Sequence, residues 1–492
     1  MDCSVRRTFK VRYFSFGFDP RRCCGMEMSM NLPAFQGLPL KQTGGGQGES
    51  GRGDRRGSKQ MRVLWVCNIM LPVIAQALQR ECSNKEGWIT GLMDALLAAG
   101  DSQRIQIELG VAFPVAPGEE LLKGDTGRVR YYGFRENTGK PEIYDSGLEK
   151  DMREILQDFK PEILHCFGTE YPHTLAAVRA YNRPQSSLVG IQGLCAVYAE
   201  AYMANIPAKR RNITTFRDWV KRDNLTRQQE KFRRRGRWEQ EAVRLTGHVA
   251  GRTEWDRYWT AKWNPQVSYH LLQETLRPCF YEGQWQYEKC SGHSIFMSQG
   301  DYPIKGLHYM LDALAAIRWR YPEVHLYVAG NSLRRTGILA PLRISGYGSL
   351  LEAQIREYEL ESHVTFLGSL SAEQMKEQYL RCNAYVCVSS IENSPNSLGE
   401  AMLLGVPVVA ALVGGVGSMI GPEEGWLFPG FSKDEDGELQ RISQDLQEQV
   451  MEVFAMREQV AERTRKAREH ARRTHDGEKN LEQLLELYQE LV

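Results

Sequence analysis

A chain of 492 residues, 42% hydrophobic and 25% charged, buries more than one core and is expected to divide into two or three globular units. Its formal net charge of +1 excludes a global electrostatic pull, and no nucleic-acid partner is expected. The balance is uneven: the first sixty residues hold 11 Lys+Arg against 5 Asp+Glu, which leaves the remainder at a net charge of −5.

Residues 1–60 close on GGGQGESGRGDRRG, with too little apolar surface to offset ordering entropy, and are expected to be a disordered, dispensable basic arm ahead of Met61. Arg6, Arg7, Lys10, Arg12, Arg21 and Arg22 interrupt any apolar run, so no secretion signal is expected. The eleven cysteines are odd in number and form no CxxC pair, and Cys67, Cys166 and Cys387 sit in apolar strand-like runs. They read as buried thiols of a reducing compartment, the cytoplasm, and neither a metal nor a cofactor is expected. The N-x-T matches at Asn212 and Asn224 carry no weight without a secretion signal.

From Met61 onward short apolar runs alternate with helical patterns, the mark of parallel βαβ units. Strands are expected at RVLWVCN from 62, IQIELGVAF from 105, VRYYGF from 129, ILHCF from 163, SLVGIQG from 187 and HVAG from 248. The aromatic-rich passage CFYEGQWQYEKCSGH separates this first domain, 61–281, from a second at 282–455. The second holds strands SIFMSQG, VHLYVAG, VTFLGSL, AYVCVSS and VPVVAAL with helices over 307–319, 371–381 and 397–404. Ala401 to Ile420 carries no charge and is long enough to cross a bilayer, but Pro407 and the glycines at 405, 414, 415 and 417 break it into a helix end, a buried strand and a loop. A helical segment over 456–492 is expected to pack back toward the first domain. The fold class is therefore α/β, two doubly wound Rossmann-like domains facing across a cleft, with ligands at the carboxyl ends of the strands.

One loop reads SSIENSPNSLGEAMLLGVPVV and sets Glu392 in the turn after a strand and Glu400 one turn into a helix. Ser394, Pro395 and Asn396 mark that helix's start, where free N–H groups, here those of Asn396, Ser397 and Leu398, make a seat for a diphosphate. A carboxylate at a helix start also serves plain capping, and it is both glutamates in this order that favour function. In this loop the sequence resembles glycosyltransferase family 4, the retaining GT-B enzymes, over nearly all of 61–492. The resemblance implies a sugar transferase using a nucleoside-diphosphate sugar and a glycan, lipid-linked or small-molecule acceptor, in polysaccharide or glycoconjugate synthesis. It implies that Glu392 approaches the donor sugar and that Glu400 binds the ribose hydroxyls.

The second-domain loop SQGDYPIKG places Lys305 and Gly306 at a helix opening, where a lysine neutralises a departing diphosphate. Members of that family commonly carry an Arg about five residues earlier, where this chain has Gln299 and Gly300. In the first domain Gly87 and Gly91 flank a helix entry and resemble an acceptor-side glycine loop, though such pairs are more often simple turn chemistry. The loop HCFGTEYPHT brings His165, Glu170 and His173 to a strand end, with Glu170 and His173 read as loop residues placed for chemistry. Arg252 in GRTEWDR is a candidate donor contact, against an interdomain ion pair. Residues 209–237 carry twelve Lys+Arg against three acidic residues, with Phe216, Trp219, Val220 and Phe232 among them. They fit a peripheral contact with an anionic membrane at its inner face, or a solvated helical excursion. The alternatives to a transferase are a GT-B sugar-nucleotide epimerase or phosphorylase, and a catalytically silent GT-B binding protein.

Overall fold

Apolar runs too short for helices, alternating with amphipathic stretches long enough to cross back over a sheet, dictate parallel strand pairing. The structure, a computed structural model, describes residues 60–492 except 81–86, 102–105, 120, 332–339 and 432–437. The described residues form one compact unit. The expectations placed on the basic arm lie outside the described residues, apart from its last position.

The first lobe runs β1 (Met61–Val66), α1 (Pro72–Ala77), α2 (Gly87–Asp101), β2 (Ile107–Val115), β3 (Lys123–Asp125) and β4 (Arg130–Arg135). It continues through α3 (Gly147–Phe159), β5 (Ile163–Phe167), α4 (Pro172–Tyr181), β6 (Ser187–Gly190) and α5 (Cys195–Ala201). Helices α6 (Ala208–Arg211), α7 (Phe216–Lys221) and α8 (Leu225–Leu245) precede β7 (His248–Gly251), α9 (Glu254–Trp263) and β8 (Ser268–Leu271). Among the described residues the strands form one sheet in the order β3-β4-β2-β1-β5-β6-β7-β8, parallel except for the β3/β4 pair.

The second lobe holds β9 (Ser294–Met297), α10 (Leu307–Arg320), β10 (His325–Ala329), α11 (Ala340–Arg343), α12 (Gly346–Glu357), β11 (Val364–Gly368) and α13 (Ala372–Arg381). Then come β12 (Ala384–Cys387), α14 (Asn396–Leu404), β13 (Val408–Leu412), α15 (Val416–Met419) and β14 (Trp426–Pro429). Helices α16 (Glu438–Ala455), α17 (Arg457–Thr474) and α18 (Gly477–Glu490) close the chain. The sheet order is β11-β10-β9-β12-β13-β14, all parallel. β3, β8 and β14, which the sequence pattern does not announce, are the short strands of sheet edges. Ala401–Ile420 resolves into the end of α14, β13 and the short helix α15, and no described helix is long and apolar enough to cross a membrane.

Central strands are buried on both faces, as parallel sheets under helices require; Val63 to Val66 and Val408 to Ala410 are fully covered. Helix α17 packs on α14, whereas α18 returns to α2 of the first lobe. There the Tyr488 hydroxyl receives the Trp65 indole N–H at 2.8 Å and meets His165 Nδ1 at 2.7 Å. On another side, Ala201 to Ile206 enter the core of the second lobe. His308 Nε2 donates to the Ala204 carbonyl at 2.8 Å and Tyr309 to Asn205 Oδ1 at 2.7 Å. In the second sheet β9 lies between β10 and β12, so the chain leaves β9 and β12 in opposite directions. The loops that follow β9 and β12 therefore lie at the switch point of the strand order, the place where open α/β sheets bind ligands.

Candidate functional site

The loop after β9 ends in Gly306 at φ 72°, and a Cβ there would lie 2.1 Å from the Val388 carbonyl oxygen. Only glycine lets the β9 loop lie this close to the β12 loop. The Ser390 N–H donates across to the Ile304 carbonyl at 2.7 Å. This contact delivers Lys305 Nζ to Glu392 Oε1 at 2.5 Å, and the same oxygen accepts from Ser389 Oγ at 2.7 Å. Burial alone favours the neutral amine, but Glu392 and Tyr302 hold the Lys305 ammonium well above the usual lysine range. Behind Glu392 stands Gly414 at φ 55°, whose Cβ would fall 1.9 Å from the Glu392 carbonyl oxygen.

Helix α14 starts at Asn396 after Pro395. No described hydrogen bond takes the N–H of Asn396 or Ser397, so two donors stand unengaged at the helix start with the helix dipole behind them. Leu398 differs from the sequence expectation: it is fully buried, and its N–H donates to the Pro395 carbonyl at 2.9 Å. Four residues into the helix, Glu400 receives Arg277 Nε at 2.9 Å and Nη2 at 2.7 Å, both on Oε1. Burial pushes the Glu400 carboxyl up to about 7, with Arg277 pulling it back.

The remaining candidates lie in the first lobe. Glu170 Oε1 accepts the Gly193 N–H at 3.0 Å, its carbonyl accepts Arg235 Nε at 2.9 Å, and burial pushes its carboxyl up. His173 is not a loop residue, because Pro172 opens α4 and His173 follows as its second position. It is 1% exposed, with Nδ1 at 2.8 Å from Glu136 Oε2 and its ring stacked on Tyr171. His165 is likewise enclosed, and burial drops its imidazole to about 3. Gly87 is the first residue of α2, and the open side of Gly91 lies against Thr275 of the interlobe linker. Arg252 is engaged internally: Nη1 pairs with Glu274 Oε2 at 2.7 Å and Nη2 donates to the Ile191 and Gln192 carbonyls. Within 209–237, Arg235 turns inward to Glu170 with its guanidinium over the Phe232 ring, so that stretch is not uniformly a surface.

Three further groups escape the sequence reading. Glu239 of α8 accepts Thr169 Oγ1 at 2.8 Å and the N–H groups of Cys195 and Ala196 at 2.9 Å, and burial pushes its carboxyl up to about 8. It thereby ties the loop after β5 to the start of α5. Asn393 bridges the lobes, donating to Asp256 Oδ2 at 3.0 Å and accepting Thr253 Oγ1 at 2.7 Å. Its N–H donates to the Tyr198 hydroxyl at 3.0 Å. The capping box of Thr253 and Asp256 is legible in TEWD, but its partner across the cleft is not. Arg277 gives no local signal at all.

Residues 290–467 match the family model described as Glycosyl transferases group 1. Among solved structures the chain is similar to sucrose-phosphate synthase from Thermosynechococcus elongatus, with TM-score 0.60, 15% identity and coverage of 87% of this chain and 99% of that one. It is similar to Anabaena HepE in complex with UDP, with TM-score 0.54, 16% identity and coverage of 87% and 99%. It is also similar to a mutant of S. aureus TarM in complex with Fondaparinux, alpha-GlcNAc-glycerol and UDP, with TM-score 0.55, 11% identity and coverage of 87% and 100%. No curated protein matches the chain in sequence. At these identities the likeness establishes the fold: two Rossmann-like domains in the GT-B arrangement, as the sequence led us to expect.

Proposed function

We propose that the chain is a retaining glycosyltransferase that moves a sugar from a nucleoside-diphosphate donor, with no cofactor, to a glycan, lipid-linked or small-molecule acceptor. We assign it to the cytoplasm. The observation that carries this reading is the Lys305–Glu392 pair where the β9 and β12 loops meet, near the N–H groups at the start of α14 that no described bond takes. The diphosphate sits on Asn396 and Ser397, and Lys305 leaves Glu392 to meet the charge that develops there. Glu392 then faces the anomeric carbon, where positive character grows, and Glu400 accepts the ribose hydroxyls. The bond from that carbon to the diphosphate oxygen breaks with its electron pair leaving on the diphosphate. The acceptor oxygen bonds the same face, and its proton passes to the departing oxygen. Glu170 and His173 shape the acceptor side, positioned by Arg235, Glu239 and Glu136.

A thermal-shift panel of UDP, GDP and ADP sugars tests the reading, because a bound donor stabilises the folded chain by mass action. One donor class is expected to raise Tm and to yield product of unchanged anomeric configuration. No shift with any donor sinks the proposal, and a shift without turnover or donor hydrolysis supports a silent binding protein in its place.

A further inference from the structure

Between β6 and β7 the chain leaves the first lobe, and the tip of this excursion is α7. Its apolar side chains face outward: Trp219 is 70%, Val220 57% and Phe216 54% exposed. Leu342 of the second lobe, 46% exposed, borders the same depression as Phe216 and Val220. Loose packing does not account for the exposure, because the polar side of α7 is fixed. Thr215 caps the helix and donates its hydroxyl to the Ile344 carbonyl at 2.7 Å. Asp218, 2% exposed, accepts the Gly346 N–H at 2.7 Å and Arg217 Nη1 at 2.8 Å.

Exposed on this stretch are Lys209, Lys221, Arg222 and Arg227, while Arg210 reaches Glu357 at 3.9 Å and Arg211 Nε donates to the Ile206 carbonyl at 2.5 Å. The acids between Lys209 and Arg227, Asp218 and Asp223, are both engaged, Asp223 with Lys231 Nζ at 3.0 Å, and Glu230 beyond them pairs with Arg234. The outward field is therefore positive around an apolar centre. We infer that α7 and the cations about it form a docking surface for an anionic lipid bilayer, with Phe216, Trp219 and Val220 seated at headgroup level. A protein partner fits less well. A stable protein interface takes about 800 Å² from each side and excludes lysine from its centre, whereas α7 offers a few side chains within a ring of charge. An anionic interface needs only apolar insertion and attraction to its headgroups. The surface goes beyond the transfer reading and is measured without turnover.

Flotation of the full chain with phosphatidylcholine vesicles, with and without phosphatidylglycerol, at low and high salt tests the inference. Binding is expected only to the anionic vesicles and to fade with salt. Phe216→Ser with Trp219→Ser should lower the partition about tenfold or more, and Lys221→Glu with Arg222→Glu on the order of a hundredfold. Trp319→Ser, which alters an 82% exposed tryptophan of α10, should leave it unchanged. Equal flotation of the wild type and the Trp219→Ser variant, or equal binding to neutral and anionic vesicles, overturns the inference. So does a dimer that Trp219→Ser dissolves, since the occupant is then a second copy. Nucleotide-sugar thermal shifts on the same variants separate the two proposals: loss of flotation with the shift kept removes only the membrane surface. Flotation without any shift removes only the transferase.

Discussion

Glu392 and Glu400 sit in one loop-helix segment, both nearly buried and each facing one cation, yet the two pairs are built differently. Glu392 meets a lysine, a point charge on a flexible stem. Glu400 meets an arginine that brings two nitrogens to one carboxylate oxygen and is held over the Phe280 ring, 4.7 Å from its centroid. An ammonium turns from one anion to another by rotating bonds; a planar fork fixed on a linker does not. The first cation is available to a substrate, and the second holds its carboxylate in place.

The largest expected effect follows from removing the available cation. Lys305→Ala should lower turnover by two or more orders of magnitude, the scale of about 3 kcal/mol of preorganised charge stabilisation. Glu392→Gln should act on turnover in the same direction with little loss of donor affinity. Steady-state kinetics at saturating donor read both. Near-wild-type turnover in Lys305→Ala with anomeric configuration retained would break the contrast, because the pair would then be structural like the other.

Glu400→Ala should come next, with a different signature. Contacts to the ribose exist before and during transfer, so their loss weakens donor binding uniformly: KM for donor rises about tenfold or more while kcat stays near wild type. A fall in kcat larger than the rise in KM would place Glu400 at the reacting centre and erase the division of labour.

This contrast also marks where sequence reading stops. Strands such as AYVCVSS and VPVVAAL are legible because parallel strands buried on both faces become continuous apolar runs. β3, β8 and β14 are not, since three or four residues at a sheet edge carry no such run. Glu392, Glu400 and Lys305 stand out because helix starts after strands are local features. Arg277 is 123 residues from Glu400, and Asn393 is 137 from Asp256, so only the folded path joins them. His173 reads as a loop residue in its run of polar neighbours, although Pro172 beside it is a helix-start signal. Leu398 illustrates a finer limit: the first turn of a helix is legible, but which of its N–H groups is already taken depends on the backbone just before it.

The smallest effect, and the sharpest test of the contrast, concerns Arg277. Burial pushes the Glu400 carboxyl from 4.5 to about 7, with Arg277 opposing. Between those values the folded chain keeps a proton that the unfolded chain has released, so this group lowers stability as pH rises through that window. Donor binding runs the other way, since the carboxylate is the better acceptor for ribose hydroxyls, and donor affinity should rise as pH passes about 7. The other titratable groups near Glu400 stay neutral there: burial lowers His475 and raises Cys279 and Tyr379. Arg277→Ala removes the attraction that keeps Glu400 ionised, so the rise should move to higher pH. A carboxyl made about tenfold weaker as an acid should cost donor affinity about fivefold at about pH 7, and the loss should be recovered in alkali. Arg277→Lys, which keeps charge but loses the fork, should fall between. Glu400→Gln should show no step at all. Donor titrations across pH decide the matter: if Arg277→Ala superimposes on wild type, or if Glu400→Gln keeps the step, Arg277 does not hold Glu400 for the donor and the second pair is merely a bond between linker and helix.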